Sequence, residues 1–166
     1  MTASPAFLLQ SVNDELDALA DSRVSTHVRS LLVEPTIVVR GWDYGRVDEA
    51  YPCWSVLEHA PSNTGIAYCE QGFGPTHPWG LVFLSGVERM SIGMDAGWYG
   101  TFLDAFFESR AAADLPIWRV YQGGTAGLPS TPLSTEGDWD TTWAQVMRLR
   151  ELNPDMRYDC WHSLRR

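Results

Sequence analysis

The chain has 166 residues, 45% apolar and 20% charged, with 21 Asp and Glu against 12 arginines, no lysine, and a formal charge of −9. A strongly negative body repels nucleic acid and anionic membrane and attracts a basic partner. The missing lysine excludes Schiff-base chemistry and a lysine-gripped phosphate loop, and eight Trp, six Tyr and six Phe exclude a disordered chain.

The acidity is uneven. Residues 1–147 hold 18 carboxylates against 7 arginines, a balance of −11, while residues 148–166 hold 3 against 5, a balance of +2. Every cation is a guanidinium, suited to bidentate pairing with carboxylates. The length predicts a single domain that buries a real core without staples.

Taken in chain order, Ser4-Pro5 reads as a helix start, followed by Phe7, Leu8, Val12, Leu16 and Leu19 at helical spacing. Asp21 or Ser22 caps a second helix through Val24, Val28, Leu31 and Leu32, which Pro35 ends. The N-terminal helical segment thus spans 5–34. Thr36 to Arg40 is β-branched and predicts a strand, and Gly41 to Ala50 an acidic loop. Strands follow at 51–59, 66–70, 79–84 and 89–93, with a turn at 61–65 and a Gly/Pro loop at 72–78. A helix opens at Gly100-Thr101 and stops at Leu115-Pro116, and a further strand covers 117–121. Residues 36–121 therefore form a sheet and helix core. Residues 122–137 read as a long loop, and 138–166 as a last helix capped by Asp138 or Asp140 with a tail that docks through Tyr158, Trp161 and Leu164. The expected fold class is α+β, an antiparallel meander with helices packed on one face.

Cys53, Cys69 and Cys160 are an odd number without CxxC spacing. That predicts neither a disulfide framework nor a thiolate metal site, and fits reduced thiols in the cytoplasm. Met1 to Phe7 lacks a basic n-region and an apolar h-region, so no secretory signal is expected, and no apolar run approaches the ~20 residues of a membrane span.

The densest group of reactive types is Glu58, His59, Cys69, Glu70, His77 and Asp95. In a hairpin turning at 61–65, residue 58 faces about 67, so Glu58-His59 and Cys69-Glu70 lie at opposite strand ends. The two pairs would be adjacent only if Tyr51-Pro52-Cys53 faced Cys69-Glu70. A Cys69–His77 nucleophile pair or a Glu70–Asp95 acid–base pair could run a hydrolysis, but Cys69 reads first as a small buried hydrophobe. No spacing matches a metal motif, and Gly72-Phe73-Gly74-Pro75 lacks a phosphate-loop frame, so no metal and no cofactor are expected.

Asp43, Asp48 and Glu49 stand among Trp42, Tyr44 and Tyr51, while Glu70, His77 and Asp95 stand near Phe73, Trp79 and Trp98. Carboxylates interleaved with aromatics suit an Arg-rich partner: the charges steer encounter and the rings supply burial. The expected partner-binding set is Asp43, Tyr44, Asp48, Glu49, Glu70, Phe73, His77, Trp79, Asp95 and Trp98.

The stretch Gly65-Ile66-Ala67-Tyr68-Cys69-Glu70-Gln71-Gly72-Phe73-Gly74-Pro75, then Trp79-Gly80-Leu81-Val82-Phe83 and Gly93-Met94-Asp95-Ala96-Gly97-Trp98, resembles small bacterial immunity proteins of toxin–immunity pairs, over roughly residues 50–110. The resemblance implies a protein without catalytic residues that binds and neutralises a cognate basic toxin through an acidic surface. The other expectations are the small hydrolase above and a structural protein that forms a homodimer through its N-terminal helix.

Overall fold

A computed structural model describes residues 3–41, 46–71, 75–85, 97–123 and 129–164. The fold is α+β with antiparallel sheets, and the chain divides into two compact units, Met1–Ala112 and Ala113–Arg166.

The first unit begins with α1 (Pro5–Asp17). Ser4 caps it by accepting the Phe7 N–H at 3.3 Å, and Pro5 sits at the first turn, where no N–H is needed. Leu8, Val12 and Leu16 bury one face. α2 (Ser22–Leu31) starts at Asp21, which accepts the Arg23 N–H at 2.9 Å, and buries Val24 and Val28. The helix stops at Leu31, ahead of the expected Pro35, and β1 (Leu32–Gly41) takes over directly. Pro35 is tolerated there because β1 is an edge strand, whose outward N–H groups have no ladder to join.

β2 (Ala50–His59), β3 (Thr64–Tyr68), β4 (Trp79–Phe83) and β5 (Trp98–Tyr99) continue a five-stranded meander in the order β1-β2-β3-β4-β5. The β2–β3 turn needs a left-handed residue, and Asn63 supplies it with φ 56°. The expected strand at 89–93 lies outside the described residues. α3 (Phe102–Phe107) and α4 (Arg110–Ala113) replace the single helix predicted from Gly100 to Leu115. The break falls where the Ser109 hydroxyl and N–H both turn back to the Phe106 carbonyl, at 2.6 and 2.9 Å.

Helix α3 is begun from two places. Thr101 accepts the Asp104 N–H at 3.1 Å. Glu15 of α1 reaches across and accepts the Phe102 and Leu103 N–H groups at 3.1 and 2.8 Å. A carboxylate at a helix N-terminus satisfies otherwise orphaned donors. Behind this junction Phe102 and Phe106 are fully buried, and Phe102 meets Trp79 edge-on at 5.3 Å.

In the second unit β6 (Trp118–Gly123), β7 (Pro129–Pro132) and β8 (Tyr158–His162) form a separate sheet in the order β7-β6-β8. The stretch read as one long loop thus contains a strand, and the tail docks by pairing with β6. α5 (Trp139–Leu152) packs on this sheet. Asp138 caps it through the Thr141 N–H at 2.9 Å, a bond that holds the Asp138 carboxyl below the usual carboxylate range. Trp118, Trp139 and Trp143 form a ladder with centroids 4.8 and 5.7 Å apart, and the Arg150 guanidinium lies 5.1 Å from the Trp143 ring. Among the described residues no helix is long and apolar enough to cross a membrane.

Candidate partner-binding surface

The negative charge belongs almost wholly to the first unit. Residues 1–112 hold 14 carboxylates against six arginines, a balance of −8, and residues 113–166 hold seven against six, a balance of −1. In the second unit guanidiniums meet carboxylates: Arg119 with Glu136 at 3.6 Å, Arg150 with Asp159 at 3.5 Å, and Arg157 with Asp159 at 3.0 Å. In the first, Arg23 pairs with Asp21 and Arg29 with Asp17. Among the described residues Glu34, Asp48, Glu58, Glu70, Asp104 and Glu108 are exposed and carry no ion pair.

The meander brings two of these, Asp48 and Glu70, to one end. Gly41 pairs with Ala50 and Tyr68 pairs with both Trp54 and Trp79. β1 and β3 therefore finish, and β2 and β4 begin, at the same end of the sheet. Asp48 and Glu49 precede β2, Glu70 follows β3 and His77 precedes β4, so four members of the expected set share that end. Asp48, Glu70 and His77 are exposed. Glu49 is half-buried and locally tied: it accepts the Tyr51 hydroxyl at 2.5 Å and the Arg46 N–H at 3.2 Å. Those donors hold its carboxyl below the usual range, and the carboxylate in turn raises the Tyr51 hydroxyl. Glu70 accepts the Ala3 N–H at 2.7 Å, which fastens the N-terminal segment to the same end.

Two expected surface aromatics belong to the core. Trp79 is buried between Tyr68 and Phe102, at 5.1 and 5.3 Å, because its register places it beneath α3. Trp98 is buried against Gly80, so closely that a Cβ there would come within 2.6 Å of its ring. Neither presents a side chain to a partner. Asp43, Tyr44, Phe73 and Asp95 lie outside the described residues, and with Asp95 the Glu70–Asp95 pair.

Cys69 and His77 are not brought together. Cys69 is fully buried and its sulfur lies 3.7 Å from the Gln71 Oε1, while His77 is exposed with Nδ1 2.9 Å from the Thr76 hydroxyl. His59 is buried with Nδ1 2.7 Å from the Ser62 hydroxyl. Among the described residues no group of three or more His, Cys, Asp and Glu side chains is arranged to hold a metal ion.

Two features escape the sequence. Edge strand β1 exposes Ile37 and Val39 by 53% and 65%. A run of four β-branched residues, Thr36 to Val39, hides which side is outward; the signal was the absence of alternation. The second feature is Arg40, 2% exposed on the same strand. It donates to the Phe83 carbonyl at 3.0 Å, its Nε has no hydrogen-bond partner, and among the described residues it forms no ion pair. Burial pushes its pKa down. An uncompensated buried cation opposes folding. Replacing Arg40 with methionine, which keeps the stem, is expected to leave stability unchanged or raise it by about 1 kcal/mol, read from the urea midpoint. A loss of about 2 kcal/mol or more would mean that the carbonyl bond outweighs desolvation.

No family model matches the chain, and neither a curated protein nor a solved structure matches it significantly.

Proposed function

We propose that this protein is an acidic protein-binding module that captures and neutralises a basic partner, as a bacterial immunity protein does its cognate toxin. The observation that carries the reading is the imbalance in the first unit, with exposed carboxylates at Asp48 and Glu70 free of guanidinium partners at one end of the sheet. Unpaired surface carboxylates project a field that accelerates encounter with a cation. The edge strand beside them offers Ile37 and Val39 for burial, and a partner that covers both would bury roughly 1,200–2,000 Å². The work proposed for this surface is steering and occlusion, which needs no nucleophile.

The test begins with the neighbouring genes, where the reading expects a cationic toxin, and its association with this protein is then followed by surface plasmon resonance. Changing Asp48→Asn together with Glu70→Gln is expected to slow association about tenfold in low salt and to change dissociation less than about twofold. In about 0.5 M salt the difference should shrink, since screening shortens the reach of both fields. Equal association rates for the variant and the parent protein at low salt would refute electrostatic steering by this surface. In cells, co-expression should restore growth arrested by that neighbour.

A further inference from the structure

The β2–β3 register brings two of the three cysteines face to face. Trp54 pairs with Tyr68, so the next rung sets Cys53 against Cys69. Cys69 sends its N–H to the Pro78 carbonyl at 2.9 Å, toward β4 and away from β2. In an antiparallel ladder a residue's N–H and C=O point to the same side, so the Cys53–Cys69 rung is a non-hydrogen-bonded one. Such rungs hold their Cα atoms about 4.5 Å apart, inside the roughly 4.4–6.8 Å window of a disulfide.

Burial and chemistry agree with that geometry. Both side chains are fully buried in one cluster with Ala67, Val82 and Trp98, and both are reduced. The hydrogen bond that the Cys53 thiol donates toward Cys69 and its burial together hold that thiol far above the usual thiol range, and the Arg40 guanidinium pulls the other way. A cation that forms no ion pair among the described residues thus acts on the Cys53 sulfur, where it lessens the cost of a transient thiolate without offsetting the burial. Cys160 differs: on β8 it faces Val120, and burial raises its thiol to about 12.

We propose that Cys53 and Cys69 are a cross-strand dithiol that closes to a disulfide when the protein meets a two-electron oxidant such as hydrogen peroxide. One sulfur, as thiolate, attacks a peroxide oxygen and becomes a sulfenic acid while the other oxygen leaves as water. The second sulfur then displaces the hydroxyl, the S–S bond forms and a second water leaves. Two thiols and one peroxide become one disulfide and two waters. The bond ties the early part of β2 to the residue that follows β3, beside Glu70 in the chain. The dithiol closes whether or not a partner is bound.

The test uses the native, folded protein. After hours with about 0.1 mM peroxide, the protein is denatured, treated with N-ethylmaleimide and weighed intact. The expected product has lost 2 Da and gained one maleimide, on Cys160, where the untreated protein gains three. Cleavage after Glu58 should leave the Cys53 and Cys69 fragments joined until a reductant is added. Cys160→Ser should still lose 2 Da, and Cys53→Ser should not. Three maleimides after oxidation, a bond that includes Cys160, or gains of 16, 32 or 48 Da without loss of 2 Da would each overturn the proposal.

Discussion

Replacing Phe102 with alanine is expected to destabilise the protein by about 3–5 kcal/mol, the range for removing a fully buried phenylalanine. Three elements converge on this ring. It is wholly buried, it meets Trp79 of β4 edge-on at 5.3 Å, and its own N–H is held by Glu15 of α1. The substitution leaves the N–H and its bond intact, so the loss isolates packing. The surroundings cannot collapse onto the gap easily, because Trp79 is also held against Tyr68 at 5.1 Å. A loss of this size is a large part of the ~5–15 kcal/mol that typically separates folded from unfolded chains. Urea unfolding should move the midpoint sharply down with an unchanged slope. A loss below about 1 kcal/mol would show that the helix–sheet junction is not close-packed there.

The second large effect is expected at Gly65, where the addition is a single methyl. An alanine Cβ would lie 2.4 Å from the Leu57 carbonyl oxygen and 2.9 Å from the Leu84 Cδ2. The leucine methyl can swing away. The carbonyl cannot, because Leu57 is pinned in the ladder opposite Ile66 and next to the irregularity between Ser55 and Leu57. Relief requires β2 and β3 to part, so Gly65→Ala should cost about 3 kcal/mol, the upper part of the range for overpacking. Gly97→Ala is the control. Its nearest contact would be the Leu81 Cβ at 3.8 Å, an ordinary separation, and the change should stay within about 0.5 kcal/mol. Equal effects at the two glycines would refute the account.

What could be read from the chain beforehand depended on how local its cause was. α1 was legible because Ser4-Pro5 and the spacing of Leu8, Val12 and Leu16 all lie within one segment. β2, β3 and β4 were legible from apolar runs between turn residues. β8 was foreseen only as a docked tail, since its pairing with β6 spans about forty residues. β7 was missed because proline stands at both its ends, where a loop is the natural reading. The acidic site was half legible. The carboxylates Asp48, Glu49 and Glu70 could be seen in the sequence, but their gathering at one sheet end follows from turn positions and not from spacing. Trp79 misled for the reverse reason: punctuating Gly and Pro residues suggested presentation, while its register turned it toward α3.

The capping of α3 by Glu15 has a further consequence for the order of assembly. The hydrogen bonds that begin this helix join residues 87 and 88 positions apart. Contacts of such span are slow to close, because a long stretch of chain must lose its freedom first. On the ribosome, α1 emerges well before its client helix exists and waits with its carboxylate unused. Truncated nascent chains that end before Phe102 should therefore lack a closed first unit, however well their early helices form.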